Sequence, residues 1–468
     1  MNFNEVTGVT GVTDNTADFK KGNIFVCIKG ENFDGHSVAE KMFEKGAAAV
    51  VVERDLGLPN QIIVPNTRKE LARLASEFYG NPTKKLKLIG VTGTNGKSTV
   101  IALIKHILEA RGHKVGSIGT VCYDTAGKIY EADLTVPRQT ELYRLFREMA
   151  DNGAEYCVVE ASSQALDQNR FAEDERFAAA VFTNLTQDHL DWHKTMERYF
   201  LAKRALFDMA ESAVVCIDDK YGEKLLNHIK TQYPEMPLLT YSALDFADNY
   251  AINLKSRASG VSFWLSSDKE EKSFPVELAI PGAYNAANAI AAVSACTLLG
   301  IGTEDAANAL SSFKGVRGRC EVIYDGDFTI ISDYAHTEDA LIKFLSSVRS
   351  FAQSRIICVF GAPGERDIQK RPLMGEAVEK YADYLIVTSD NPRFENQQDI
   401  INQVCEGITS KPVKTFTDRR QAIEEAVKMA RKGDIITLCG KGHETVQVIG
   451  NENQPFDERE IVRELLWT

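Results

Sequence analysis

The sequence lacks the cysteine spacing of metal-binding and redox motifs. Its nine cysteines are scattered over 468 residues, and none belongs to a CxxC pair. Most of them lie in apolar runs, such as "IFVCI" and "IICVF", which are typical of buried thiols. We therefore expect free cysteines in a reducing compartment. We predict a cytoplasmic protein rather than a secreted protein that is cross-linked by disulfides.

Long apolar runs and a surplus of basic residues are also missing. No apolar run approaches the roughly 20 residues that cross a bilayer, and residues 1–22 contain no apolar segment typical of a signal peptide. The 54 Lys and Arg residues against 66 Asp and Glu residues give a formal net charge of −12. We therefore expect no membrane or nucleic-acid partner, and an anionic ligand would need a local basic pocket.

The sequence does contain a repeated alternation of apolar strands and amphipathic helices. A chain of 468 residues is too long for one core, and the pattern predicts three α/β domains at residues 1–86, 87–314 and 315–468. The first is small. The second contains an alternating, antiparallel stretch, and the third has the alternation of a doubly wound, Rossmann-like sheet.

The clearest local motif is "VTGTNGKSTV" at residues 91–100. An apolar strand, a glycine turn and a helix that starts near Lys97 are the context of a phosphate-binding loop. Lys97 is expected to reach the terminal phosphates and the hydroxyl of Ser98 to bind Mg²⁺. The plain alternative is a glycine-rich turn without a ligand. The predicted nucleotide contacts are Gly93, Thr94, Asn95, Gly96, Lys97, Ser98 and Thr99.

Three further segments carry candidate chemistry near strand ends. Glu160 follows "YCVV" and is either a Mg²⁺ ligand or a capping carboxylate. The stretch "FTNLTQDHLDWH" places Asp188, His189 and His193 after another strand. Lys203 lies on the following helix, and from its residue type alone it reads as a solvated lysine.

Together the motifs resemble the Mur ligase family. They follow one another in order over nearly the whole chain: "GVTGTNGKST", "VEASS", "FTNLTQDHLDWH", "AKRALF", "PGAYNAANAIAA", "GVRGRCE", "DYAHTEDAL", "RDIQKRPLMGE", "SDNPR", "GKGHE" and "FDERE". Within the family, the DNPR motif at residues 390–393 is typical of the members that add meso-diaminopimelate.

The resemblance implies an N-terminal UDP-sugar domain, a central P-loop ATPase domain and a C-terminal amino-acid domain. ATP would phosphorylate the D-glutamyl carboxylate of UDP-N-acetylmuramoyl-L-Ala-D-Glu. The amine of meso-diaminopimelate would then attack the acyl phosphate, giving an amide, ADP and phosphate for peptidoglycan synthesis. The implied cofactors are ATP and Mg²⁺, the two substrates are small molecules, and the protein is expected to act as a monomer.

The same resemblance implies roles position by position. Lys203 matches the lysine that becomes carbamylated, a reaction that needs a neutral amine and therefore a lowered pKa. Arg393 would offer a planar fork to the second carboxylate of meso-diaminopimelate, which L-lysine lacks. The implied catalytic residues are Lys97, Glu160, His189 and Lys203, and the metal ligands are Ser98, Glu160, His189 and Lys203. The further nucleotide contacts are Asn285, Asn288, Arg319, Asp333 and His336. The implied substrate contacts are Asp14, Thr135, Ser162, Gln168, Arg170, Arg366, Asp390, Asn391, Arg393, Gly440 and Glu444.

Several motifs depart from the family pattern, mainly at the sugar-binding end. Asp14-Asn15-Thr16 replaces DSR, Thr135-Val136-Pro137 replaces TTP, and Gln164 replaces a histidine. The alternatives are a divergent ligase that adds L-lysine or another amino acid or uses another acyl acceptor, a folylpolyglutamate-type synthetase, a P-loop kinase, and a non-catalytic nucleotide-binding paralogue.

Overall fold

The computed structural model describes residues 6–30 and 33–466. In this part of the chain, three β-sheets of four, eleven and six strands follow one another in sequence, and helices flank each of them. The predicted α/β class with three such units is therefore confirmed. The boundaries near residues 86 and 314 stay a prediction.

The first sheet is small and parallel, with its strands adjacent in chain order. Its strands are β1 (Gly11–Thr13), β2 (Asn23–Val26), β3 (Ala49–Val52) and β4 (Gln61–Ile63). The helices are α1 (Ala39–Glu44) and α2 (Thr67–Phe78). The side chain of Asn66 caps α2 by accepting from the N–H of Lys69, as an N-terminal cap requires.

The central sheet has eleven strands among the described residues. They are β5 (Lys87–Thr92), β6 (Val115–Ile118), β7 (Cys122–Asp124), β8 (Ile129–Glu131), β9 (Tyr156–Glu160), β10 (Phe177–Phe182), β11 (Ala213–Cys216), β12 (Leu238–Ser242), β13 (Asn249–Arg257), β14 (Gly260–Ser267) and β15 (Lys272–Leu278). The helices are α3 (Lys97–Ala110), α4 (Gln139–Asp151), α5 (Ser163–Asp167), α6 (Leu190–His193), α7 (Met196–Arg204), α8 (Lys220–Gln232), α9 (Tyr284–Leu298) and α10 (Thr303–Ala309).

The order of the central sheet places the predicted motifs side by side. Strand β5 lies between β10 and β9, and all three are parallel. Their carboxyl ends therefore meet at one edge, where ligands bind in parallel α/β sheets. The antiparallel prediction is confirmed for β13, β14 and β15. The alanine-rich helix α9 is buried in the core against this sheet, because small side chains allow close packing.

The third sheet has six strands in the order β16-β17-β21-β18-β19-β20, and only β16 is antiparallel to its neighbour. Its strands are β16 (Glu321–Asp325), β17 (Thr329–Asp333), β18 (Ile356–Phe360), β19 (Tyr384–Thr388), β20 (Val413–Phe416) and β21 (Ile435–Cys439). A hairpin of β22 (Val446–Ile449) and β23 (Glu452–Pro455) follows. The helices are α11 (Glu338–Phe351), α12 (Lys370–Tyr381), α13 (Gln397–Cys405), α14 (Arg419–Met429) and α15 (Glu458–Leu466).

The parallel part of this third sheet gathers four loops. The loops after β17, β18, β19 and β21 leave the same edge and contain the DYAH, GAPGER, DNPR and GKGHE stretches, respectively. Among residues 6–30 and 33–466, no helix combines the length and the apolar character that a bilayer crossing demands.

Candidate active site

The glycine loop at residues 91–100 has no room for side chains at its two glycines. Gly93 has φ +144°, and a Cβ there would lie 1.9 Å from Oγ1 of Thr183. Gly96 has φ +86°, and its Cβ would lie 2.4 Å from Oδ1 of Asn288. Glycine is thus required at both positions by contact and by backbone conformation. Helix α3 begins at Lys97, as predicted.

Part of the loop's backbone is already paired within the protein. The N–H of Thr94 donates to the carbonyl of Asn184 (2.8 Å), and that of Asn95 donates to the Asn184 side-chain oxygen (3.0 Å). These two N–H groups therefore anchor the loop to the segment after β10 and are not directed at a ligand.

A charged cluster lies where the loop meets β9. The carboxylate of Glu160 is only 3% exposed. It accepts hydrogen bonds from Oγ of Ser98 and from the N–H and hydroxyl of Thr120, each at 3.1 Å. Nζ of Lys97 lies 3.7 Å from Oε1 of Glu160 and donates to the carbonyl of Thr94 (2.8 Å).

The electrostatics of this cluster keep the Glu160 carboxylate ionised. Burial acts to raise the pKa of Glu160, but the charges of Lys97 and Arg319 together hold it below its ordinary value. An ionised carboxylate beside a hydroxyl group is the oxygen-rich donor set that Mg²⁺ prefers. The pair Ser98 and Glu160 therefore fits a magnesium ion.

Two contacts join this cluster to the third sheet and its helices. Arg319, just before β16, donates from Nη2 to Oγ of Ser98 (3.1 Å). Asp339, on α11, accepts from Nδ2 of Asn95 and from Oγ1 of Thr186, both at 2.8 Å. The segments that precede and follow β17 thus close over the phosphate loop.

Lys203 is a buried lysine, only 2% exposed, so its interpretation as a solvated residue was wrong. Nζ donates to the carbonyl of Gly93 (2.7 Å) and lies 4.5 Å from the centre of the Tyr199 ring. Burial lowers the pKa of Lys203 well below its ordinary value, and the charge of Lys97 lowers it further. The lowered pKa increases the fraction of neutral amine, the form that can react as a nucleophile.

The two histidines of the "DHLDWH" stretch have different surroundings. His189 has φ +51°, its side chain is 47% exposed, and its Nε2 lies 3.5 Å from Oδ2 of Asp188. His193 is buried, and its Nε2 is 3.0 Å from Oγ of Ser163, so it belongs to the packing of α5. Across the described ranges, no three His, Cys, Asp or Glu side chains form a metal-binding group. The second predicted site, with His189 and Lys203, stays a prediction.

The other predicted nucleotide positions lie around the same loop. Nδ2 of Asn288 donates to Oδ1 of Asn285 (2.8 Å), whose own Nδ2 donates to the carbonyl of Pro281 (2.7 Å). Asp333 accepts from the N–H groups of Cys320 and Ala335 (2.7 and 2.8 Å) and so shapes the turn that carries Arg319. His336 pairs through Nδ1 with the carbonyl of Tyr334 (2.7 Å), and Thr99 is buried at the start of α3.

The predicted sugar–peptide contacts run from the first sheet towards Glu160. Oγ1 of Thr135 lies 3.1 Å from Oγ1 of Thr120, which itself binds Glu160. Arg170 donates to the side-chain oxygen of Gln168 (2.8 Å) and also contacts the carbonyl of Val136.

The residues at the two ends of this row of predicted sugar–peptide contacts are charged or cap a helix. Burial and the charge of Arg138 lower the pKa of Arg170 to about 10. Asp14 lies 3.9 Å from Nη1 of Arg138. Ser162 caps α5 by accepting from the N–H of Ala165 (3.2 Å). The row therefore combines basic side chains near Asp14 with hydroxyl groups near Glu160.

The DNPR and GKGHE loops meet in the third domain. Nδ2 of Asn391 donates to Oε2 of Glu444 (2.9 Å). Gly440 has φ +113°, and a Cβ there would lie 2.5 Å from Oδ2 of Asp390, a buried oxygen without a hydrogen-bond partner. Arg393 has φ +54° and pairs by its backbone with β22.

The two arginines of this site leave their side chains available. Among residues 6–30 and 33–466, no hydrogen bond or ion pair engages the guanidinium of Arg393, which is partly buried, or that of Arg366, which is exposed. Free guanidinium forks suit carboxylate groups. The Nδ2 donor of Asn391 is directed at Glu444, so this amide also organises the site from within.

The loop before β16 and the GKGHE loop contact each other through their backbones. A Cβ on Gly318 would lie 2.1 Å from the carbonyl carbon of Gly442. The Tyr334 ring lies 4.7 Å from the Arg319 guanidinium, and its hydroxyl donates to Oε1 of Glu444 (3.5 Å). Contacts therefore run from Ser98 through Arg319 and Tyr334 to Glu444.

Sequence reasoning missed Asp339 and Lys441, and it named Tyr334 without its contacts to Arg319 and Glu444. Asp339 lies within "HTEDAL", where its acidic residues also suit a helix start. Tyr334 was considered only as part of the nucleotide-facing segment. Lys441, in "GKGHE", is wholly buried at the junction of the two loops. A buried cation cannot be distinguished from a surface lysine by sequence alone, although the motif itself was visible.

The comparisons with known proteins identify one family. Residues 8–79 match the Mur ligase family catalytic domain, residues 91–296 match the Mur ligase middle domain, and residues 318–442 match the Mur ligase glutamate ligase domain. The chain therefore belongs to the Mur ligase family, and the resemblance drawn from its motifs is confirmed.

The names of individual relatives are more specific than the descriptions of the family models. A protein of Clostridium botulinum (strain ATCC 19397 / Type A) is 42% identical over 96% of this chain and 93% of its own length, and is named UDP-N-acetylmuramoyl-L-alanyl-D-glutamate--2,6-diaminopimelate ligase. A solved structure of a ligase with that name is 32% identical, with a TM-score of 0.71 over 98% of this chain and 94% of its own. MurF ligase from Thermotoga maritima, solved in complex with ADP, shares the fold at 20% identity, with a TM-score of 0.65 over 97% and 96% of the two chains.

Proposed function

We propose that the protein is an ATP-dependent ligase that adds meso-diaminopimelate to UDP-N-acetylmuramoyl-L-alanyl-D-glutamate for peptidoglycan synthesis. Its relatives over nearly the whole chain carry that name. A carboxylate is a poor acyl donor, and transfer of the terminal phosphoryl group of ATP gives it a better leaving group. The attacking amine then forms the amide as the C–O bond to phosphate breaks, which leaves ADP and inorganic phosphate.

The contacts from Ser98 through Arg319 and Tyr334 to Glu444 are the observation that carries this proposal. They connect a phosphate loop on the central sheet with a carboxylate and free guanidinium groups on the third sheet. A kinase that only transfers phosphate has no use for the second half of this arrangement. A ligase must bring an activated carboxylate and an amine together, and such positioning supplies much of the rate enhancement.

Each side chain has a task in this scheme. Lys97 and Arg319 would neutralise the negative charge that develops on the transferred phosphoryl group. Thr120 bonds to Glu160 and lies 3.1 Å from Thr135, and the D-glutamyl carboxylate that receives the phosphoryl group would lie near these two hydroxyl groups. Asn391 and Glu444 would bind the charged far end of the amino acid, and Arg393 and Arg366 would pair with its carboxylates.

Ser98 and Glu160 would hold a magnesium ion, and a second would need His189 with a carbamate on Lys203. A bound Mg²⁺ ion supplies charge neutralisation between phosphate oxygens. The lowered pKa of Lys203 supports the carbamate, because carbon dioxide adds only to a neutral amine. We also propose a cytoplasmic location, which suits the buried thiols of seven of the nine cysteines.

An amide-formation assay tests the proposal. The protein is incubated with ATP, MgCl₂, UDP-N-acetylmuramoyl-L-Ala-D-Glu and, in separate reactions, meso-diaminopimelate, L-lysine, D-alanine or L-glutamate. We expect a new amide by mass spectrometry with meso-diaminopimelate, together with ADP and phosphate. Formation of AMP and pyrophosphate would contradict the acyl phosphate. Phosphate transfer without amide would favour a kinase.

A further inference from the structure

Lys441 is the most completely buried cation near the amino-acid end of the site. Its side chain is 0% exposed, yet it lies in a loop between β21 and the β22–β23 hairpin. Nζ donates to Oδ1 of Asn391 (2.8 Å), to Oε2 of Glu444 (2.6 Å) and to the carbonyl of Val446 (2.5 Å). An ammonium group has three N–H donors, so no donor is left for a substrate.

These three hydrogen bonds fix the orientation of the Asn391 amide and of the Glu444 carboxylate. Oδ1 of Asn391 accepts from Lys441 and from the N–H of Val448 (2.9 Å). The amide nitrogen must then face the other way, and it donates to Oε2 of Glu444 (2.9 Å). Without the lysine, the amide could rotate by half a turn and exchange its donor for its acceptor.

Lys441 also determines which oxygen of Glu444 remains available. Oε2 is occupied by Lys441 and Asn391, whereas Oε1 has only the long 3.5 Å contact with the Tyr334 hydroxyl. The Glu444 side chain is 25% exposed, so Oε1 can reach a ligand. Burial acts to raise the pKa of Glu444, but Lys441 holds it below its ordinary value. The carboxylate is therefore ionised and can accept from a substrate ammonium group.

We propose that Lys441 is a positioning residue for amino-acid selection, which holds Asn391 and Glu444 in the orientation that binds the amino acid and does not itself touch it. This inference rests on the proposed amino-acid ligase function. It gives Lys441 a different role from Lys97 and Lys203, which lie on the central domain. Loss of Lys441 should affect the amino acid far more than ATP, because its three partners all belong to the DNPR and GKGHE loops and the hairpin.

The test compares Lys441→Met and Lys441→Gln with the unmutated enzyme. Both variants remove the ammonium group, and glutamine keeps one amide donor. We expect KM for meso-diaminopimelate to rise about tenfold or more, because hydrogen bonds to charged groups are lost. KM for ATP should stay within about twofold, and the preference in kcat/KM for meso-diaminopimelate over L-lysine should fall. A rise of both KM values by the same factor, or no change, would overturn the proposal.

Lys411→Met is the matched control. Lys411 is a partly buried lysine near the edge strand β20 of the same sheet, where Nζ donates to the carbonyl of Ala382 (2.8 Å). This variant should leave both KM values unchanged.

The outcomes separate this inference from the function on which it rests. Wild-type enzyme that forms no amide with meso-diaminopimelate refutes the proposed function. Wild-type activity with unchanged KM values in the variants refutes only the role of Lys441. If neither variant yields folded protein by circular dichroism, Lys441 is required for the fold, and the positioning role is overturned.

Discussion

Arg319 and Ser98 are 221 residues apart in the chain, and a hydrogen bond of 3.1 Å joins them. Ser98 lies in the first turn of α3, beside the central sheet, and Arg319 lies just before β16 of the third sheet. This bond brings a guanidinium group to the phosphate loop from a different domain. The proposed nucleotide site is therefore complete only when the two domains are in contact.

Substitution Arg319→Ala should lower kcat by about 10²–10³-fold, the usual cost of losing one preorganised group that stabilises developing charge. ADP release under saturating substrates measures it. The control is Arg317→Ala, which removes an exposed arginine two positions away that pairs with Asp457 and should keep most activity. Equal losses of kcat in the two variants would show that the substitutions act through the structure of the loop and not through the loss of the Arg319 guanidinium.

Substitution Lys97→Ala should abolish turnover and leave the fold intact. Nζ of Lys97 donates to the carbonyl of Thr94 and lies 3.7 Å from Oε1 of Glu160, and Arg319 remains as a positive charge near Glu160 when the lysine is lost. We expect at least a 10²-fold fall in ADP formation, by the same electrostatic argument, and an unchanged circular dichroism spectrum. Retained activity would remove Lys97 from the nucleotide site.

Substitution Lys203→Ala should remove most activity if this lysine carries a carbamate. The lost group would then be an anion, so acetate or formate, which can enter the vacated cavity, should restore part of the rate. Chloride at the same ionic strength serves as the control. Mass spectrometry of the native wild-type protein after ¹³C-bicarbonate treatment should locate the label on Lys203. Full activity of the alanine variant without any added anion would contradict a metal-binding carbamate.

The buried amine of Lys203 also predicts a dependence of stability on pH. Its pKa in the folded protein lies well below the ordinary 10.5, because of burial and the Lys97 charge. Between pH 10.5 and the lower pKa of the folded protein, Lys203 binds a proton in the unfolded chain but not in the folded protein. The free energy of unfolding therefore falls as the pH falls through this range.

Urea unfolding in CO₂-free buffer measures this effect. Relative to Lys203→Met, the wild-type protein should lose up to about 1.4 kcal/mol of unfolding free energy for each pH unit below 10.5. The methionine variant serves as the reference because it lacks the titrating group and keeps an apolar side chain of similar length. Identical pH dependence of the two proteins would show that Lys203 is not held neutral by burial.

Substitution Arg393→Ala should reduce the preference for meso-diaminopimelate over L-lysine. A site built to pair a polar group can reject an analogue without it by about 10⁴–10⁵, and each bond to a charged group is worth about 1.5–3 kcal/mol. Competition between the two amino acids measures the ratio of kcat/KM, and KM for ATP should stay nearly constant. Arg420→Ala, which removes an exposed arginine of the same domain, provides the control. Equal use of both amino acids by the wild-type enzyme would refute this specificity.

The arrangement of the motifs could be predicted from the sequence because each follows a strand. The phosphate loop, Glu160 and the "DHLDWH" stretch follow β5, β9 and β10, which are neighbours in a parallel sheet. In such a sheet, the strand ends share one edge, so the grouping follows from strand order. The strand pattern likewise identified four strands of the third sheet and the antiparallel extension of the second.

The sequence could not predict which polar groups are already paired. The amides of Thr94 and Asn95 are bound to Asn184, a residue 89 or more positions away, and no local pattern reveals that. The burial of Lys203 and Lys441 was equally hidden, because it depends on packing between separate elements. The contact of Asp339 with Asn95 depends on how two domains meet, which sequence periodicity does not describe.

The backbone contact between Gly318 and Gly442 has a thermodynamic consequence. The loop of Gly318 carries the guanidinium that binds Ser98, and the loop of Gly442 carries Glu444, so neither can shift without displacing the other. A ligand that shifts either loop would change the affinity at the other end, and linkage requires that two such ligands influence each other by the same factor. ATP that tightens the amino-acid end would itself be retained more strongly once the amino acid is bound. Such an enzyme would bind ATP more weakly and consume little of it when its amino acid is scarce.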